Sequence, residues 1–131
     1  LLVDALPVRV GAPLSIKNVQ QRHYHHLFPL AWLREKDPNV GSNRALNCIL
    51  INRRTNSEIL AKEPVKYLLE TCEASDLGED EVRRRLGTHF VDFNLLVKGD
   101  YGKFLDERAK ACESAIKSLC DGSDWRPYNK S

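Results

Sequence analysis

Arg22-His23-Tyr24-His25-His26-Leu27-Phe28-Pro29 decides how the rest of this 131-residue chain is read. Its clustered aromatic and imidazole side chains favour an extended backbone, and Pro29 drives Phe28 away from helical geometry. Arg22–Phe28 is therefore expected to be a short strand. Beyond the proline, Leu30–Lys36 has the spacing of a short amphipathic helix, closed by Asp37-Pro38 and the Gly41-Ser42-Asn43 loop. Ala45–Asn52 follows with the apolar run Cys48-Ile49-Leu50-Ile51, which predicts a buried strand. Thr55 can cap a further short helix through Leu60, its hydroxyl accepting a main-chain amide at the helix start.

Downstream the pattern is helical. Pro64 suits the first turn of a helix, where its missing N–H is not needed, and Val65, Leu68, Leu69 and Cys72 form that helix's apolar side until about Ser75. Asp76–Leu96 mixes charges with Leu77, Val82, Leu86 and Phe90 and predicts one helix and a connector. In the last helix Phe104, Leu105, Ala109, Cys112, Ile116 and Leu119 recur at three- and four-residue steps, Asp100 can cap the start and Gly122 marks the stop. The expected class is α+β: a mostly helical domain with a small β element. Pro7, Gly11 and Pro13 break periodicity in a lead-in over 1–21, the domain runs over 22–121, and 122–131 is a polar tail.

An apolar fraction of 42% and a charged fraction of 29% exclude a disordered tail or a fibrous repeat. No run of about 18 apolar residues predicts a membrane span. The chain has no Met and begins Leu1-Leu2, as expected for a piece of a longer protein. The net charge is only +2, but residues 1–62 hold nine basic and four acidic groups, so the half containing three of the four histidines is basic. Such a half can attract phosphates locally. None of Cys48, Cys72, Cys112 and Cys120 is in C-x-x-C spacing, which removes a zinc knuckle or a thioredoxin-type motif. Four reduced, mostly buried thiols fit a cytoplasmic protein without membrane partners.

Further residues align with the opening stretch. His25-His26-Leu27-Phe28-Pro29-x-x-Trp32-Leu33 is followed by Asn47-Cys48-Ile49-Leu50, Thr55-Asn56-x-x-Ile59, Lys62-Glu63-Pro64-x-x-Tyr67-Leu68 and Phe104-Leu105-x-x-Arg108. A histidine pair ending a strand, a second strand, and a helix opening near an amide side chain resembles the HNH nucleases with their ββα-metal motif. More closely, the pieces resemble the "H-H-I-F-P-x-x-x-L" signature of the C-terminal nuclease domains of GmrSD-type modification-sensing restriction endonucleases. The resemblance covers about residues 22–119, with its core at 25–56.

That resemblance implies a metal-dependent DNA endonuclease or nickase, the C-terminal effector of a bacterial restriction or anti-phage defence protein. Its partners would be DNA and a preceding nucleotide-hydrolysing sensor domain. Position by position, it makes His26 the general base, Asn47 the residue that holds the base imidazole in orientation, and His25 and Asn56 the ligands of one divalent ion. A carboxylate in place of His25 would suit Mg²⁺; an imidazole shifts preference toward Mn²⁺, Ni²⁺ or Zn²⁺. His23 shares the strand face of His25, so it is an alternative ligand. Arg44, Arg53 and Arg54 flank the site and suit phosphate contacts, or are solvated surface charges. Arg83-Arg84-Arg85 reads as a solvated helix beside Glu79-Asp80-Glu81, His89 as a structural residue at a helix end, and Arg108 as a partner of a phosphate or an internal carboxylate. Trp32 and Tyr67 read as core aromatics. Two rival functions remain: a catalytically degenerate nucleic-acid-binding module of the same shape, and an interaction domain with structural zinc, which the lack of nearby cysteine disfavours.

Overall fold

Strand β1, Arg22–His26, pairs antiparallel with β2, Cys48–Asn52, in the register Arg22 opposite Asn52, His23 opposite Ile51, His25 opposite Ile49 and His26 opposite Cys48. The computed structural model describes residues 22–41, 45–52, 56, 64–74 and 78–123. Side chains alternate across a strand, so His25, Ile49 and Ile51 lie buried on one side while Tyr24 on the other is 76% exposed. The apolar run in β2 is thus half-buried by alternation: Cys48 and Leu50 are intermediate where a fully buried strand was expected.

Between the strands, α1 spans Leu30–Lys36 and a 3-10 turn spans Ala45–Asn47. After them come α2 (Pro64–Ala74), α3 (Gly78–Thr88), α4 (Phe93–Lys98) and α5 (Tyr101–Cys120). Among the described residues the protein is mostly helical, with this one two-stranded sheet, so the class is α+β. Of the helix expected over Thr55–Leu60, Asn56 is described and is helical; its neighbours, the 1–21 lead-in and most of the polar tail lie outside the described residues.

Phe28, in the bend where the chain leaves β1 two residues short of the expected strand end, is the centre of the core. Its ring meets Trp32 at 5.3 Å, Tyr101 at 5.3 Å and Phe104 at 5.1 Å between centroids. The hairpin is thereby packed onto α1 and α5, while Leu68, Val82, Leu86 and Leu96 bring α2, α3 and α4 into the same cluster. Gly99 ends α4 at φ 70, and a Cβ there would stand 3.3 Å from the Trp32 ring. Glycine serves both needs, a left-handed backbone and a close approach.

The segment 76–96 departs from the expected single helix. It holds two, because Phe90 turns the chain at φ 60. The Val91 N–H donates to the Leu86 carbonyl and the Phe90 N–H to Gly87, the bonding of a helix-ending Schellman motif in which glycine is usual. Asp92 then caps α4 by accepting from the Leu95 N–H at 3.0 Å. In α5, Asp100 caps the start through Lys103, and Gly122 follows the stop at φ 70, both as expected. Ile116 and Leu119 are 61% and 63% exposed among the described residues, so the apolar stripe is buried mainly in the first half of the helix. All four thiols are free, but three are half-buried and Cys120 is exposed, against the expected burial. Among the described residues no helix is long and apolar enough to cross a membrane.

Candidate functional site

The hairpin carries the site because β1 ends in a tight turn that its own main chain cannot satisfy. The Leu27 N–H donates to the Asn47 carbonyl at 2.8 Å. The Asn47 side chain takes the next residue at both groups: Oδ1 accepts from the Phe28 N–H at 3.0 Å, and Nδ2 donates to the Phe28 carbonyl at 3.0 Å. Asn47 is fully buried, so these bonds work away from competing water. Its role is to hold the chain directly after His26.

Tyr67 completes the turn. Its hydroxyl donates to the Leu27 carbonyl at 3.0 Å, and its ring stands edge-on to the His25 imidazole, 5.6 Å between centroids at 79°. Burial pushes the phenol far above its ordinary range, so it stays a donor at any physiological pH.

The two histidines face different surroundings. His25 is 6% exposed, and its Nε2 is buried without a hydrogen-bond partner. Burial lowers its pKa, Asn56 opposes this as a hydrogen-bonding side chain, and the charge of His26 lowers it further. The net result is a neutral imidazole at pH 7, the form that ligates a metal. Asn56, remote in sequence, is thus brought to His25. His26 lies on the other strand face, half-buried and opposite Cys48. His23 shares the His25 face and is half-buried opposite Ile51.

Among the described residues no group of three or more His, Cys, Asp or Glu could hold a metal ion. A divalent ion therefore has to be judged against His25 and Asn56. His25 keeps one buried nitrogen, Nε2, without a hydrogen-bond partner, and Asn56 hydrogen-bonds the same side chain; a neutral imidazole and an amide are donor types that a divalent ion accepts. Arg44, Arg53 and Arg54 lie outside the described residues.

Arg108 differs from its expected role. It is 9% exposed and, among the described residues, donates to the main-chain carbonyls of Leu46, Cys48 and His89 rather than to a carboxylate. The bonds to Leu46 and Cys48 bracket Asn47, so α5 fixes the turn from behind. Burial lowers the guanidinium's pKa. His89 is, as expected, buried at a helix end, its N–H donating to Leu86 and its carbonyl receiving Arg108. Arg83 and Arg84 pair with Glu79 and Glu81 on the exposed side of the helix, as expected, whereas Arg85, bonded to Glu81, is buried against the expectation of a solvated run. Tyr67 is the residue that sequence reasoning undervalued. A tyrosine among apolar helix positions needs a partner for its hydroxyl, but which partner depends on the tertiary fold.

Comparison with family models, with curated proteins and with solved structures gives no match for this chain.

Proposed function

We propose that this domain is a metal-dependent HNH-type endonuclease or nickase that hydrolyses DNA phosphodiesters. The observation that carries the reading is the meeting of His25 and Asn56, at the end of a strand and on a helix, while Asn47 pins the turn that follows the histidine pair. The ββα-metal motif sets its ligands in that relation, though many of its members carry a carboxylate where His25 stands, and the amide clamp at the turn supports the reading.

His26, half-buried at the end of β1, is the general base. Its imidazole takes a proton from a water molecule, whose oxygen attacks the phosphorus as the bond to the leaving oxygen breaks. Asn47 keeps His26 in place through the following two residues. His25 and Asn56 hold the divalent ion, with Mg²⁺ or Mn²⁺ as the first expectation and Ni²⁺ or Zn²⁺ as others. When bound, that ion neutralises phosphate charge and stabilises the leaving oxygen. Arg44, Arg53 and Arg54 contact phosphates and position the strand. Within the cell the domain acts in the cytoplasm, as the effector of a restriction or anti-phage defence protein whose nucleotide-hydrolysing sensor domain selects the target.

Supercoiled plasmid incubated with the protein and Mg²⁺, Mn²⁺, Ni²⁺, Zn²⁺ or EDTA tests this. Metal-dependent conversion to open-circular or linear DNA is expected, with cleavage abolished in His26→Ala and DNA binding retained. Equal cleavage by the variant would remove His26 as the base. A second reading, a degenerate nucleic-acid-binding module, draws on His25 standing where the motif often carries a carboxylate, which leaves the pair of ligands uncharged. It predicts a gel shift with no cleavage in any metal.

A further inference from the structure

Leu27, Phe28 and Pro29 separate His26 from α1, and every main-chain polar group of the first two is engaged. Asn47 accounts for three of the four: the Leu27 N–H and both groups of Phe28. The fourth, the Leu27 carbonyl, is held by a residue from a different element, Tyr67 of α2. The same Tyr67 ring packs edge-on against His25. One side chain thus joins the surroundings of both histidines. Tyr67 is 1% exposed, and Leu68 beside it is fully buried in the core, so the phenol is anchored by its own helix.

We propose that Tyr67 is a positioning residue for this site, its hydroxyl fixing the chain directly after His26 and its ring fixing the imidazole of His25. The inference rests on the nuclease reading above and assigns to α2 a part that His25, His26, Asn47 and Asn56 do not supply. The two contacts have separable consequences. Losing the hydroxyl frees the Leu27 carbonyl and loosens the backbone that aims His26, so turnover falls while ligand geometry is kept. Losing the ring leaves space beside His25 and lets the imidazole leave its orientation, so metal affinity falls. Residues that orient a ligand from behind carry effects of about 10–100-fold on metal affinity or activity.

The test uses the full chain with Mn²⁺ and supercoiled plasmid, comparing wild type, Tyr67→Phe and Tyr67→Leu, all below their unfolding temperatures. Alongside, Mn²⁺ is titrated into histidine-labelled protein while paramagnetic broadening of the His25 ring resonance is followed by NMR. Tyr67→Phe is expected to lower kcat about 10-fold with KM and the Mn²⁺ midpoint little changed. Tyr67→Leu is expected to raise the Mn²⁺ midpoint at His25 about 10-fold. A purely structural role would lower the unfolding temperature and leave both parameters of the folded protein alone.

Wild-type kcat and wild-type Mn²⁺ midpoints in both variants overturn the proposal and leave the nuclease reading standing. Broadening at His25 that weakens in Tyr67→Leu, with no cleavage by wild type, overturns the nuclease reading and upholds the positioning of His25. Neither cleavage nor broadening in wild type overturns both. Should Tyr67→Leu not fold, Tyr67→Phe decides alone through kcat and through the position of the His26 ring resonance.

Discussion

At the level of single residues the turn after His26 depends on one amide. Asn47→Ala would leave the Phe28 N–H and carbonyl without their partner inside the protein. A buried polar group stripped of its partner costs about 1–3 kcal/mol, so with two such groups the variant should lose about 2–6 kcal/mol, measured by urea unfolding. Cleavage should fall beyond what the lost stability explains, because the same bonds aim His26. An unchanged urea midpoint would mean that Asn47 does not carry the turn. His25, His26, Asn47 and Asn56 could be singled out in the sequence by their order and spacing, and the structure brings Asn47 to the turn after His26 and Asn56 to His25. What the sequence could not give was the depth of His25, which depends on α2 covering it, or the target of Arg108. A lone arginine at a helical position reads equally well as a phosphate or carboxylate ligand. Only the tertiary fold brings the carbonyls of Leu46, Cys48 and His89 together around it.

Helices and strands were legible where their ends carry a chemical signature. Pro64 opens α2, Asp100 caps α5 and Asp37 follows α1 as the side-chain chemistry requires. The boundary between α3 and α4 was missed because Phe90 adopts the left-handed backbone that normally advertises itself as glycine. Gly99 shows the opposite case. Gly99→Ala would place a methyl 3.3 Å from the Trp32 ring on a backbone at φ 70. A left-handed L-residue costs about 1–2 kcal/mol by itself, so a loss of at least that size is expected in thermal unfolding, with a shift in Trp32 fluorescence; neither change would argue against the close approach. In α3 the carboxyl of Glu81 is held at about 2, chiefly by its bond to Arg84 and then by Arg85, against an ordinary value of 4.5. A lowered carboxylate pKa stabilises the fold above the unfolded-state value, and that contribution disappears as pH falls through the folded-state value. Stability should therefore decline between about pH 4.5 and pH 2. Urea midpoints across that range should fall less steeply in Glu81→Gln, and parallel slopes would remove Glu81 as a source.

Across the whole molecule, charge is arranged more tellingly than its sum of +2 suggests. The arginines of α3 are spoken for: Arg83 reaches Glu79 and lies over the Phe93 ring at 3.9 Å, and Arg84 and Arg85 both reach Glu81. Cations already paired and packed gain little by trading a carboxylate for a phosphate. Arg44, just ahead of the 3-10 turn in sequence, and Arg53 and Arg54, just after β2, belong instead to the basic half that holds both histidines. β2 is five residues long, roughly 17 Å, so its two ends are several phosphate spacings apart along a strand of DNA. Each phosphate neutralised by a protein cation releases counterions, and the logarithm of affinity falls with the logarithm of salt by about 0.9 per contact on duplex DNA. Replacing Arg44, Arg53 and Arg54 together by Ala should therefore flatten the salt dependence of DNA binding by about 2.7. Arg83→Ala with Arg84→Ala should leave that slope unchanged. Fluorescence anisotropy over a salt series measures both, and it does not depend on whether the protein cuts. A flattened slope in the α3 variant, with none in the triple variant, would move the DNA-binding face from the hairpin to the helical side of the molecule.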